Sequence, residues 1–291
     1  MATISRRAIR IIALSYRSSL ARGAIKARSK LNSQNNTATS KSFFKPLLTA
    51  LFPVMAAAGV SSPELQKVID ESEALYTKKD FAAMYELLSP HKESNDANIL
   101  WRLARAATEK GKMGTKEERK EHIYEAWDYI KKALELDDNN FACHKWYGIL
   151  LDYTGEYEGT QKRISNAFEV KKHFMRAIEL NPTDATTMYC LGYWCFLFAD
   201  MPWYQRKIAS VVFATPPTST YEEALDYFLK AEKAEPGFFN KNNKMIGLTY
   251  LRMKDKENAK LYFEKTVAFK DAITEDDKEA IKEAKDHLKS L

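Results

Sequence analysis

Two stretches of the chain end a helix in the same way. Ala177-Ile178-Glu179-Leu180-Asn181-Pro182 is followed 54 residues later by Ala231-Glu232-Lys233-Ala234-Glu235-Pro236. Proline has no N–H to give to a helix, and it pushes the residue before it out of the helical region. Both segments must therefore stop at the same register. A third copy, Ala133-Leu134-Glu135-Leu136, aligns with Ala177-Ile178-Glu179-Leu180 at an offset of 44. A recurrence of this length restricts the chain to stacked helical units. One helix pair cannot bury its apolar face alone, so successive pairs must share a core.

From Ser61 onward the apolar residues recur at three and four, and nothing reads as strand. Ser62-Pro63 opens a first helix, and Asp80–Leu88 forms a second that stops near Pro90. The next pair carries Trp101, Leu103 and Ala104, then Tyr124, Trp127, Ile130 and Ala133, joined by a long charged loop over Gly111–Arg119. Three further pairs follow around Trp146/Phe174, Trp194/Phe228 and Tyr250/Phe263. Glu275–Leu288 reads as a charged helix capping an open stack.

The order Trp, Leu-Gly, Tyr, then Ala, Phe, Ala and a closing Pro is that of the tetratricopeptide repeat. The period predicts insertions of about 10 and about 20 residues between the two helices of a unit. Gly148, Gly192 and Gly247, opposite small residues at Ala133, Ala177, Ala231 and Ala259, predict close helix approach. The predicted fold is all-α, a tetratricopeptide-like solenoid of four to five helix pairs with a C-terminal capping helix.

The net charge of +6 is unevenly divided. Residues 1–63 hold six Arg and four Lys and no acid, so the rest carries 35 basic against 39 acidic residues. A mildly acidic body argues against nucleic acid as partner. Residues 1–42 read as a basic leader, with two explanations open: a mitochondrial transit peptide, or a disordered arm that clings to acidic surfaces. Residues 43–60 form an apolar connecting segment. Lys45, Pro46 and Pro53 interrupt it, and it is too short for a stable transmembrane span. The repeat domain is expected over 61–291.

No phosphate-binding loop, zinc spacing or nucleophile motif occurs. The five His are scattered, and Cys143, Cys190 and Cys195 form no Cys-x-x-Cys. The sequence therefore predicts no enzyme activity, no cofactor and no metal. The Trp and Tyr residues at repeat positions are expected in the core.

The larger insertion, residues 200–223, predicts a short helix from Trp203 to Phe213, and Thr220 with Glu223 fits a capping box. The helix either packs onto the stack or forms a lip at which Trp203, Arg206 and Lys207 meet a partner. Here Pro202-Trp203-Tyr204-Gln205-Arg206-Lys207-Ile208 and Phe213-Ala214-Thr215-Pro216-Pro217-Thr218-Ser219-Thr220-Tyr221-Glu222-Glu223-Ala224-Leu225 resemble the regulator of microtubule dynamics protein family. The similarity extends over about residues 62–275 and leaves out the leader.

The resemblance implies a tetratricopeptide-like fold, association with microtubules, and a role in spindle organisation and chromosome segregation. The implied location is cytoplasm and cytoskeleton, with spindle and spindle poles. Some members lie at mitochondria or membrane contacts, where a lipid-binding groove is proposed. The alternative expectation is thus a mitochondrial protein that binds lipid or a partner peptide in its concave groove.

For tubulin, whose exposed tails are acidic, one candidate basic patch is Lys110, Lys112, Lys116, Arg119 and Lys120. A second is Lys241, Lys244, Arg252, Lys254 and Lys256. Each also fits a merely solvated face.

Overall fold

A computed structural model of the protein describes residues 62–212, 215–270 and 275–291. The leader and the apolar segment expected over 1–60 lie outside these residues. The described residues form twelve α-helices and no strand. They are α1 (Pro63–Thr77), α2 (Phe81–Leu88), α3 (Ala97–Met113), α4 (Lys116–Leu136), α5 (Phe141–Glu158) and α6 (Thr160–Leu180). Then come α7 (Ala185–Ala199), α8 (Trp203–Val212), α9 (Tyr221–Ala234), α10 (Asn240–Arg252), α11 (Lys256–Val267) and α12 (Glu275–Ser290).

Five pairs pack as hairpins: α1 with α2, α3 with α4, α5 with α6, α7 with α9, and α10 with α11. Each pair also packs on the next. The apolar clusters ignore the pair boundaries. One joins α3, α4 and α5, and another runs from α5 to α10. Helix α12 closes the stack. Ala280 and Ala284 are buried, and the His287 ring lies parallel to Phe263 at 4.8 Å.

The repeated helix ending is the same structure three times. The N–H groups of Asp137, Asn181 and Glu235 donate to the carbonyls of Ala133, Ala177 and Ala231 at 3.1, 2.9 and 3.1 Å. The three C-cap residues share φ of −150, −140 and −145° and ψ of 92, 88 and 90°. Two hairpin turns repeat as well. Lys79 and Lys254 take φ of 59 and 68°, and each precedes an Asp that caps the next helix.

Some local expectations change. Gly111–Arg119 is not a long loop. Helix α3 runs through Met113 and α4 starts at Lys116, leaving a turn at Gly114-Thr115. The reason is a full capping box: Glu118 N–H donates to Thr115 Oγ1 at 3.2 Å, and Thr115 N–H donates to Glu118 Oε2 at 2.7 Å. At Thr220 only half of a box forms. Glu223 N–H donates to Thr220 Oγ1 at 3.1 Å, but its carboxylate accepts from Ser219 and Lys171 at 2.5 and 3.2 Å. The smaller insertion is not a loop either. Its residues lengthen α5 and α6 to 18 and 21 residues, hinged at Gly159, whose φ of 99° excludes a side chain.

Three of the pairs share one close approach. A Cβ on Gly148, Gly192 or Gly247 would fall 2.7, 2.8 or 2.9 Å from the ring of Phe174, Phe228 or Phe263. In the last two the next obstacle is the carbonyl of Ala224 or Ala259. Ala259 is therefore the counterpart of Ala224, and buried Thr266 takes the place that Ala231 fills. In the α3/α4 pair the same offset of 44 puts Ala104 where glycine stands and Ile130 where phenylalanine stands, both buried.

That exchange is testable. Gly148→Ala is expected to destabilise the protein by about 1–3 kcal/mol, because the overpacked ring outweighs the helix-propensity gain. Gly148→Ala with Phe174→Ile should cost less than the sum of the single changes, as a double-mutant cycle in urea would show. Additive losses would mean that the glycine is not there for the ring.

Candidate functional site

The first helices of the pairs place a set of side chains on one face. Lys112 on α3 lies within electrostatic reach of Tyr153 on α5 and of Asp276 on α12. Tyr153 in turn lies within electrostatic reach of Tyr189 and Tyr193 on α7, as Arg163 on α6 does of Tyr193. Tyr189 and Tyr193 stack at 6.2 Å. At the other end, Arg105 lies 4.0 Å over the ring of Tyr76. Tyr76 and Tyr193 remain accessible, each 39% exposed.

Charges on this face are paired or held by neighbours. Burial works against the Lys112 charge, but Tyr153 and Glu109 outweigh it and hold the ammonium above the usual lysine range. The Glu109 carboxylate is 2.7 Å away. Arg163 forms a two-pronged pair with Asp152 at 2.8 and 2.8 Å, which more than offsets its desolvation. Burial raises Asp276, yet Lys241 at 2.7 Å brings its carboxyl below the usual range. Tyrosines among fixed charges are suited to holding a polypeptide or other amphipathic ligand, because each ring offers apolar area and a hydrogen-bonding tip. Repeat spacing alone puts these tyrosines in the core. Trp101, Trp146 and Trp194 are there, and Tyr153 and Tyr189 pack half-buried against it from this face, while Tyr193 is exposed.

The first candidate basic patch gathers at the α3–α4 turn. Lys110 lies 4.1 Å over the Tyr85 ring and Arg119 5.6 Å over the Tyr153 ring. Lys116 and Lys120 are exposed on the first turns of α4. The second patch is largely spent on internal contacts. Lys241 pairs with Asp276, Lys244 with Glu283 at 2.9 Å and Arg252 with Asp200 at 2.6 Å, while Lys254 shapes a turn.

The insertion is tied at its feet and open at its crown. Asp200, just past α7, accepts from Arg252 Nε at 2.6 Å and from Tyr221 OH at 2.7 Å. Arg206 turns inward, donating to the carbonyls of Phe198 and Pro217 at 2.6 and 2.6 Å. It holds the two ends of the insertion together. Trp203 and Lys207 instead face outward. Trp203 and Val211 stand largely clear of the stack, Tyr204 and Ile208 are half-exposed, and Ala209 is buried.

Reading the histidines as scattered misses one pair. His144 and His173, 29 residues apart, are both buried with their Nδ1 atoms 2.8 Å from each other. His144 Nε2 donates to the Asp138 carbonyl at 2.8 Å, and one proton lies between the two Nδ1 atoms. That leaves His173 Nε2 beside Glu169 at 3.2 Å, and Tyr147 stacks on the ring at 4.2 Å. Burial and the neighbouring His144 outweigh Glu169 and push His173 down to about 4. Among the described residues no three His, Cys, Asp or Glu gather as metal ligands. Burial pushes the thiols of Cys143 and Cys190 up to about 12 and that of Cys195 to about 11, so all three stay protonated at neutral pH.

A sequence profile of the family described as "Regulator of microtubule dynamics protein 1-3" matches residues 68–291. The chain belongs to this family. It is similar to regulator of microtubule dynamics protein 1 of Bos taurus, 45% identical over 240 residues, covering 82% of this chain and 75% of that protein. The Mus musculus protein 1 is 44% identical over 238 residues, covering 81% and 78%. Regulator of microtubule dynamics protein 2 of Bos taurus is 33% identical over 210 residues, covering 71% of this chain and 51% of that longer protein. Among solved structures, a thermophilic tetratricopeptide protein of Thermus thermophilus superposes with a TM-score of 0.52. It is 16% identical and covers 75% of this chain and 97% of that one, which shows the fold. The family match takes in the whole described stack from Val68, with the tyrosine face and the insertion.

Two measurements test the geometry of this family member. His173 is neutral when folded, so its contribution to stability is complete above its unfolded pKa near 6.5 and is lost as pH falls toward 4. The loss should reach roughly 3 kcal/mol at the acid end. In urea titrations the wild type should lose stability relative to His173→Phe as pH falls across that window, and parallel curves would exclude His173 as the cause. Arg206→Lys removes the fork on Phe198 and Pro217. Hydrogen exchange over residues 200–220 should then quicken about tenfold or more while the rest of the stack keeps its protection. Unchanged exchange would show that Arg206 does not hold the insertion.

Proposed function

We propose that the protein acts by binding rather than catalysis, as a microtubule-associated helical stack with a role in spindle organisation and chromosome segregation. The observation that carries this reading is the family match over residues 68–291, with relatives whose names give microtubule dynamics as their field of action. The match omits the leader, so an activity held in common belongs to the stack.

Within the stack the α3–α4 turn is the proposed tubulin contact. Lys116 and Lys120 project there beside Lys112 and Arg119, whereas the second basic patch is committed to internal pairs. Trp203 and Lys207 form a separate outward surface. The proposed location is cytoplasm and cytoskeleton, including spindle and spindle poles, with a mitochondrial fraction directed by the basic leader. A second reading is favoured by the tyrosine face: it takes a partner peptide or a lipid between the first helices, at mitochondria.

Co-sedimentation of the full chain with microtubules at low and moderate salt tests the first reading. Lys116→Glu with Lys120→Glu should weaken pelleting roughly three- to tenfold, the scale of two exposed charge contacts reversed. Moderate salt should weaken the wild type as well. Equal pelleting of wild type and variant would remove the α3–α4 turn as the contact.

A further inference from the structure

Helix α8 is amphipathic the wrong way round. Its outward arc holds Trp203, Tyr204, Lys207, Ile208 and Val211, and its inward side holds Gln205, Arg206 and Ala209. Trp203 is 75% exposed and Val211 79%, while Tyr204 and Ile208 are 44% and 42% exposed. A helix tethered to a soluble stack gains nothing from facing its large apolar side chains to water. Contiguous exposed apolar residues of this kind mark a surface that something covers.

The charge around it narrows what that is. No Asp or Glu occurs from Met201 to Tyr221, a stretch that includes Arg206 and Lys207. The remainder of residues 64–291 carries 33 basic against 39 acidic residues, so this acid-free cationic stretch stands out from an acidic body. Beside α8 lies an open hollow of about 590 Å³ whose walls include Trp203, Lys207, Ser210, Thr215, Thr218 and Ser219. Its lining has hydroxyls and the outward Lys207 beside the apolar Phe198, Ala199 and Met201, and no carboxylate, the fork of Arg206 being spent on carbonyls. A hollow of that chemistry accepts an anionic oxygen group, and the apolar crown beside it accepts hydrocarbon.

We infer that α8 docks on the surface of an anionic phospholipid bilayer. A ten-residue helix is about 15 Å long and lies flat in the interface with its apolar side down. Trp203 and Tyr204 occupy the headgroup boundary that such rings favour, with Ile208 and Val211 beneath them. Lys207 and the Thr215 and Thr218 hydroxyls of the hollow meet the phosphates. The inward Arg206 keeps the helix seated on the stack, through its bonds to Phe198 and Pro217. A protein groove would also take the apolar arc, but Lys207 on a stretch without Asp or Glu from Met201 to Tyr221 matches a layer of phosphates better. The inference stands apart from the microtubule reading, which places its contact at the α3–α4 turn.

The test uses the full chain and vesicles of phosphatidylcholine alone or in equal parts with phosphatidylserine, with brominated acyl chains as quencher. The leader contains no Trp. Trp101, Trp146 and Trp194 are buried, and Trp127 packs half-buried against the core. Quenching therefore reports α8 even where the leader adds its own attraction. Wild type should bind the anionic vesicles and be quenched. Trp203→Phe should still bind but lose most of the quenching. Val211→Asp should lower binding at least roughly fivefold, since it buries a charge where a methyl pair had been. Circular dichroism and thermal melts of each variant check that the stack is intact. Binding without quenching in the wild type would assign the membrane contact to the leader and overturn the inference. So would absence of vesicle binding, or equal binding by Val211→Asp. Loss of microtubule pelleting in Val211→Asp, with no quenching in the wild type, would make the occupant a protein.

Discussion

The stack depends on how closely two helices can approach, and in three of its five pairs that distance is set by a glycine lying under a phenylalanine ring. At Gly148, Gly192 and Gly247 there is no room for even one more carbon. The contact fixes the separation within a pair, and the Trp and Ala residues on the flanking turns can then meet the next pair at a constant spacing. The α3/α4 pair reaches the same end with Ala104 and Ile130, by moving volume from one helix to the other. Conserving the summed volume matters more than the identity of either residue, as expected for a close-packed interior. It also explains how α7 and α9 can form a pair across a 21-residue interval, from Asp200 to Thr220. Their contact centres on Gly192 and Phe228 and runs from Ala185 and Met188 against Ala231 to Phe196 against Tyr221, all on the two helices themselves.

Ionic contacts then bind one pair to the next. Lys145 on α5 reaches Asp184 at the start of α7, at 2.9 Å, and Lys171 on α6 reaches Glu223 on α9 at 3.2 Å. Arg252 on α10 joins Asp200 at the foot of the insertion, and Lys241 and Lys244 on α10 join α12. Most of these groups are half-buried, where pairing is less screened than on an open surface. This is why lysines clustered in sequence are poor guides to a basic surface here. Their partners lie on the neighbouring unit, tens of residues away.

The repeat is readable because period, glycine and closing proline are all local signals, and each has one structural consequence. The stretch over Gly111–Arg119 shows the opposite case. Two glycines and a dense run of charge suggest a loop, yet Thr115-x-x-Glu118 lies in the same stretch and is the pattern that ends it. The same pattern at Thr220 is equally legible and only half realised, because Ser219 and Lys171 compete for Glu223. The tyrosine face cannot be read from the chain. It brings together Lys112, Tyr153, Tyr193 and Asp276, which sit on four different helices, and only the stacking of units makes them neighbours. The His144–His173 pair escapes for the same reason, since a separation of 29 residues matches no ligand spacing but does match the two arms of a long hairpin.

The insertion resolves a conflict between stability and recognition. An exposed Trp and Val on a core helix would compete with the stack for apolar contacts and invite misregister during folding. Placing them on α8 separates the two demands, because its feet are held by polar contacts at Asp200 and Arg206 and by Met201 and Tyr221 against the core, not by the outward arc. Changes to the outward arc therefore leave the Gly192–Phe228 contact untouched. Conversely, the core can be repacked, as the Ala104–Ile130 pair has been, without altering what α8 displays. The stack supplies a rigid base, and the hydrogen-bonded insertion carries a surface whose chemistry is set independently of it.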